Sequence, residues 1–283
     1  MRQDFEKHLD LTAAKNSGKI SSYVGALNWL DRILQKSIGP FSATNLWQET
    51  SPTAIEAIRQ YVAGQKQLGS FGIFASTQSS YLDGGFCNAA LRAYTQFLIQ
   101  HQCQSKFLAA CETEQSSGEE VARTLEKILL ENEALLLDED GVPPQDKKGT
   151  DALREKKVRI GQGTFKNMIR CNYGDHCAIS GLNLPAVLRA SHIVPWAEDE
   201  ENRLNPCNGI HLSATYDAAF DGHLISFDEK YRLTLSKSLR DQCGNNAAFK
   251  QVFKKYEGAP LILPKQFRPG QAFLEKHREK MPA

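Results

Sequence analysis

The sequence predicts an α+β fold in two parts, a mostly helical N-terminal domain followed by a module of short strands packed with helices. Three observations carry this expectation. Apolar residues recur at helical spacing through much of the first 110 residues. From Arg189 onward, short apolar runs alternate with turn residues, the mark of short strands. Between these regions, Asp138-Glu139-Asp140-Gly141-Val142-Pro143-Pro144 interrupts any regular element, because proline offers no backbone donor and glycine is conformationally loose. The expected boundaries are a first domain at 1–110, an acidic helix and linker at 111–156, and a second domain at 157–283.

The elements follow in order. Ser21–Leu34 places Tyr23, Val24, Leu27, Leu30, Ile33 and Leu34 at helical spacing, with Trp29 beside them. Pro52–Ala63 opens with Ser51 as cap and Pro52 at the first helical position, where a missing N–H costs nothing; Ile55, Ile58 and Val62 line one face. Gly84-Gly85 reads as a loop before a third helix, Ala89–Ile99, which carries Leu91, Tyr94, Phe97 and Leu98. Val121–Leu137 is the acidic helix, apolar at Leu125, Ile128, Leu129, Leu135 and Leu136, and Gln145–Thr150 reads as polar linker. The second domain begins with a helix through Phe165 and Met168. Near its middle, Leu224–Phe227 and Arg232–Leu235 read as strands joined by a turn at Asp228-Glu229-Lys230.

A chain of 283 residues is long enough for two cores, and 41% apolar with 24% charged residues describes an ordinary globular protein. The start, Met-Arg-Gln-Asp-Phe-Glu-Lys, has no apolar leader region, and no stretch approaches the ~18 apolar residues of a membrane span. Seven cysteines without a paired framework suit a reducing compartment, so the expected location is cytoplasmic, with no membrane partner. Cys171 and Cys177 are spaced too widely for a zinc knuckle, and no C-x-x-C or C-x-x-H pair follows them. Structural zinc is therefore not expected. Net charge is only +1, but its distribution is uneven. Glu112 to Asp140 is strongly acidic. Lys147, Lys148, Arg154, Lys156, Lys157, Arg159, Lys166 and Arg170 reverse the sign, and a second basic group runs from Arg232 to Lys255. Such a surface on the second domain suits contacts to phosphate.

The richest chemistry lies between Arg189 and Asp221. His192 closes a short run that reads as a strand, Asn208 enters a second apolar run, and Asp217 and Asp221 fall on a following helix. Carboxylates at i and i+4 share a helix face and can address one ion. Taken singly, each residue is bland: His192 as a hydrogen-bonded structural residue, Asn208-Gly209 as a turn, the aspartates as a solvated face. In this joint order they are what metal-assisted phosphodiester hydrolysis needs. A neutral imidazole takes a proton from water, an amide braces it, and oxygens hold a divalent cation at the phosphate. Oxygen ligands favour Mg²⁺ or Mn²⁺.

The order and spacing resemble the HNH (His-Me finger, ββα-metal) endonucleases, in the restriction-type branch written A-S-H-I-x-P-W … N-P-x-N-G-[IL]-x-L … F-D. Here those blocks read Ala190-Ser191-His192-Ile193-Val194-Pro195-Trp196, Asn205-Pro206-Cys207-Asn208-Gly209-Ile210-His211-Leu212 and Phe220-Asp221. Arg159, Gly161, Gln162 and Phe165 match the lead-in helix R-x-G-Q-x-x-F. Cys177–Gly181 resembles the C-A-I-T-G strand that opens the fold, His223–Phe227 the strand after the metal helix, and Leu261–His277 the family tail. The resemblance implies His192 as general base, Asn208 as its brace through the loop backbone or the ring, and Asp217 as metal ligand with Asp221 one turn on. Two positions depart from the pattern. Ser191 stands where many members carry Asp or His as a second metal ligand, and Tyr216 where this branch often has His.

The activity implied is metal-dependent cleavage of double-stranded DNA, in a restriction or antiphage setting. Arg189 and Arg203 flank the core and are candidate phosphate contacts, since a guanidinium matches phosphate geometry. A small hairpin and helix have little capacity to read bases, so target choice is expected in the N-terminal domain. Its S-Y-V-x-A-L-x-x-L and A-L-R-x-Y-x-x-F-L patterns loosely resemble modules found ahead of HNH domains, and it is also the candidate for homo-oligomerisation. Two alternatives stay open: a catalytically weakened HNH-fold DNA-binding protein, in keeping with Ser191 and Tyr216, and a signal-activated nonspecific nuclease effector.

Overall fold

The computed structural model describes residues 1–12, 18–68, 72–74, 79–113, 115–137 and 149–282, without the side chains of 11–12, 149–157 and 159. The acidic residues Asp138, Glu139 and Asp140, the linker residues 145–148 and the Arg159 side chain lie outside this description. The fold is α+β, with helices throughout and two small antiparallel sheets in the C-terminal part. It divides into two compact units, Met1–Gln102 with Glu131–Gly149, and Cys103–Leu130 with Thr150–Ala283.

The first unit is helical: α1 Arg2–Thr12, α2 Lys19–Lys36, α3 Pro52–Gln67, α4 Ser80–Asp83 and the first part of α5 Phe86–Glu112. The Ser51 hydroxyl accepts from the Ala54 N–H at 3.2 Å and Pro52 occupies the first turn, so α3 starts where its sequence says it should. Leu27, Leu30 and Leu34 from α2 meet Ile55 and Ile58 from α3 and Leu91 from α5, all fully buried. Each such side chain contributes about 1.5–3 kcal/mol on leaving water. Tyr94 stands edge-on to Phe5 at 5.2 Å and donates its hydroxyl to the Glu49 carbonyl at 3.2 Å. The third helix runs well past the expected Ala89–Ile99, because residues 100–112 hold no Gly or Pro to stop it and bury Cys103 and Phe107.

The acidic helix, expected as one element, is two: α6 Gly118–Glu131 and α7 Glu133–Leu137. A reciprocal capping box starts α6, with the Glu120 N–H bonded to the Ser117 hydroxyl and the Ser117 N–H to the Glu120 carboxylate. Its apolar face buries Val121, Ala122, Leu125 and Leu129 within the second unit, whereas α7 packs on α3 in the first. The segment 111–156 is thus shared between the units, since an apolar stripe this strong needs a core to cover it.

The second unit adds α8 Gly149–Asn172, β1 Leu188–His192, β2 Gly209–Ser213, α9 Ala214–Asp221, β3 Ile225–Phe227, β4 Leu233–Leu235, α10 Lys237–Cys243, α11 Ala247–Val252 and α12 Gln271–Glu279. β1 pairs antiparallel with β2, setting His192 opposite Gly209, and β3 pairs with β4. Phe165, Met168 and Ile169 bury the inner face of α8. A Cβ at Gly209 would lie 2.5 Å from Ile169 and 2.6 Å from Phe165, so only glycine lets α8 lie directly on β2. The expected strand at Cys177–Gly181 is a turn. The Gly181 N–H closes on the Cys177 carbonyl at 2.8 Å with Gly181 at φ +70°, leaving Ala178 to bond His211 on one side and Ile262 on the other.

Candidate active site

A cleft of about 540 Å³ is walled by α8, the end of β1 and α9. Of the residues singled out from the sequence, Arg189, His192, Asp217 and Asp221 line it. Asn208 is buried behind the loop that follows β1, and Arg203 is held within that loop.

His192 is placed by three contacts. Its ring stacks on Phe165 of α8 at 3.5 Å between centroids, and the Trp196 ring meets it edge-on at 5.5 Å. Its Nε2 lies 3.1 Å from the Arg203 carbonyl. A carbonyl only accepts, so Nε2 carries the proton and Nδ1 keeps a free lone pair. Burial pulls the imidazole pKa down to about 4, the Arg203 carbonyl opposing this in part. The ring is therefore neutral around neutral pH, with the Nδ1 lone pair unprotonated.

Asn208 works on backbone alone. Its Oδ1 accepts from the Val194 N–H at 2.9 Å, and its Nδ2 donates to the carbonyls of Val194 at 3.1 Å and Asn202 at 3.2 Å. The Ile193 N–H meets the Asn208 carbonyl at 3.0 Å. The Asn208 side chain thus bonds the loop backbone and not the His192 ring.

On α9, Asp217 faces the cleft, and its Oδ1 accepts from the Ser191 hydroxyl at 2.5 Å. Tyr216 turns the other way, buried, with its hydroxyl donating to the Val252 carbonyl at 2.8 Å. The register of the helix thus presents Asp217 and not its neighbour. Asp221 follows one turn later, and burial, then the Asp217 carboxylate, raise its pKa. Crowded carboxylates of this kind are relieved by a cation. Among the described residues no three His, Cys, Asp or Glu side chains form a metal cluster. One hydroxyl and two carboxylates nevertheless fit a hard ion such as Mg²⁺, which keeps several waters and takes the rest of its shell from substrate phosphate.

Four more residues of the cleft wall, Gln162, Lys166, His223 and His277, stand in the sequence only as parts of matched blocks or of a basic run, with nothing to place them at the site. Gln162 and Lys166 lie one turn apart on α8 and belong to the Phe165 face, which only the helix register reveals. His277, on α12, stacks on Phe220 at 3.8 Å, with Nε2 3.0 Å from the Phe220 carbonyl and Nδ1 3.0 Å from the Ser226 hydroxyl. Burial first, then the neighbouring His223, lower its pKa to about 4. It is a neutral strut tying the chain's tail to the end of α9.

Residues 177–228 match the family model HNH_2, described as HNH endonuclease. No curated protein matches the chain. The match covers β1, β2, α9 and β3, and it points to a nuclease domain acting on DNA, of a kind that usually works with a divalent metal ion. Among the described residues no helix is long and apolar enough to cross a membrane.

Proposed function

We propose that the protein is a metal-dependent endonuclease that hydrolyses phosphodiester bonds of double-stranded DNA. The observation that carries this reading is the meeting in one cleft of a neutral imidazole with a free Nδ1 and a serine–aspartate oxygen pair. His192 Nδ1 accepts the proton of the attacking water as its oxygen adds to phosphorus, and the P–O bond to the leaving oxygen breaks, that oxygen taking a proton from solvent water. Nε2–H remains on the Arg203 carbonyl, which spreads the positive charge formed on the ring. Asn208 keeps the loop, and hence that carbonyl, in place. Asp217, with Ser191 and Asp221 beside it, would hold Mg²⁺ or Mn²⁺, whose charge offsets that growing on the phosphate and leaving oxygens. Arg189, exposed on the cleft wall, is placed to meet a backbone phosphate.

Target choice falls to the helical N-terminal domain, in a restriction or antiphage setting, and the same domain is the site for any self-association. A second reading draws on Ser191: its hydroxyl donates to Asp217 where a charged ligand would bind metal more tightly. On that reading the chain is a DNA-binding protein with weakened catalysis. Digestion of modified and unmodified plasmid with Mg²⁺ or Mn²⁺ separates the outcomes. Discrete bands support a selective endonuclease, a smear an unselective effector, and intact but bound DNA the weakened form.

A further inference from the structure

We propose that Arg203 is a positioning residue for His192, acting through its own carbonyl, and that its guanidinium does not contact DNA. The proposal rests on the reading of His192 as the base. The Arg203 carbonyl is the partner of His192 Nε2, at 3.1 Å, and so decides which ring nitrogen is free. That carbonyl sits on an irregular loop with no ladder to hold it, and the arginine side chain supplies the restraint. Its Nε donates to the Trp196 carbonyl at 2.8 Å, drawing the two ends of the turn together, and its Nη2 donates to Glu200 at 2.9 Å. The guanidinium also lies over the Trp196 ring, 5.3 Å from its centroid.

Trp196 extends the restraint to both of its other neighbours. Its ring stands nearly perpendicular to that of His192 at 5.5 Å and is seated on α8 at Gly161, where a Cβ would fall 2.5 Å from it. Asn208 pins Val194 and Asn202 to either side of the same loop. A guanidinium committed to Trp196 and Glu200 would have to give up this bracing to clamp a phosphate, and Arg203 is not on the cleft wall where Arg189 is. If the Arg203 carbonyl drifts, the imidazole is free to move its proton to Nδ1. In that form it has no lone pair to offer the attacking water.

The test compares Arg203→Ala and Arg203→Lys in the full chain. The measurements are single-turnover cleavage, KM, the salt dependence of DNA binding, and ¹⁵N NMR of the His192 ring. The proposal expects both variants to lower kcat by about 10- to 100-fold, as loss of a residue that orients an active-site group does, with KM unchanged. Lysine should rescue nothing, because an ammonium keeps the charge but lacks the planar fork. The slope of log Kd against log salt should stay at its wild-type value, and His192 should shift from the Nε2–H form towards a mixture. A phosphate contact behaves oppositely. The alanine variant would reduce the slope by about 0.9, and lysine would restore cleavage to within about twofold. That pattern, or a His192 ring still wholly Nε2–H in both variants, overturns the proposal. Should the alanine variant unfold on heating far below the parent, the lysine variant decides. A wild-type chain that binds but never cuts DNA would sink the nuclease reading, while the ¹⁵N signature would still report on Arg203.

Discussion

At His192 a stacked phenylalanine and a single carbonyl do what a charged partner does in many hydrolases, holding the ring and choosing its tautomer without adding charge. His192→Ala should therefore lower kcat by about 10²- to 10⁴-fold while leaving DNA affinity within twofold, checked by single-turnover cleavage and filter binding. Asp217 and Asp221 are less equal than their spacing suggests, since only Asp217 is engaged with Ser191. Asp217→Ala should abolish Mn²⁺ binding in calorimetry, whereas Asp221→Ala should weaken it and Tyr216→Phe leave it intact. Undiminished Mn²⁺ binding by Asp217→Ala would remove the proposed ligand. His277 has a pH consequence of its own. Its folded pKa near 4 lies below the unfolded value, so the unfolded chain binds the extra proton and stability falls as pH drops through the window from about 6.5 to 4. The loss reaches about 3 kcal/mol for this ring, and His192 adds to it in the same direction. Thermal melts against pH should show that acid limb, and His277→Gln should flatten it.

Among the elements, α8 carries the most. It contributes Phe165 beneath His192, Lys166 and Gln162 to the cleft wall, and two close approaches at which a neighbour meets a glycine. One is Trp196 on Gly161; the other is α8 itself on Gly209 of β2. Gly161→Ala and Gly209→Ala each overpack a contact under 3 Å, which costs about 1–3 kcal/mol and a few degrees of melting temperature. Gly161→Ala should in addition slow cleavage, because the displaced ring is the one that braces Arg203 and His192. A variant melting at the wild-type temperature would show that the loop absorbs the methyl group. The motif R-x-G-Q-x-x-F was legible in the sequence, but the reason for its glycine was not. That reason is a tryptophan 35 residues away.

For the whole molecule, the second unit is larger than the matched segment. It includes the end of α5 and all but the last residue of α6, with Phe107, Val121 and Leu125 fully or almost fully buried. Phe107 packs at 5.7 Å from Phe267, and a Cβ on Gly118 would strike Asn205 at 2.3 Å, beside the turn that carries Asn208. A fragment starting at residue 103 should thus unfold cooperatively, while one starting at 151 should expose apolar surface, bind a hydrophobic dye and melt lower. Equal melting of the two would mean that α6 adds nothing to that core. Cleavage by the longer fragment, if less selective than that of the full chain, would place target choice in the first unit. Cleavage at the same sites would leave that unit with assembly or regulation.

What the sequence determined by itself is local or ordered along the chain. Helical spacing and the Ser51-Pro52 start placed α2 and α3, since periodicity and caps act within a few residues. The order His192, Asn208, Asp217 pointed to the nuclease domain because a short hairpin and helix bring such positions together with little help from elsewhere. Only the tertiary structure decided which nitrogen of His192 is free, which of Tyr216 and Asp217 faces the cleft, where α6 spends its apolar face and what holds Arg203. Each of these depends on a partner distant in the chain or across the loop, such as the Arg203 and Val252 carbonyls or the Trp196 ring. Such a partner is chosen by packing, and packing leaves no period in the sequence.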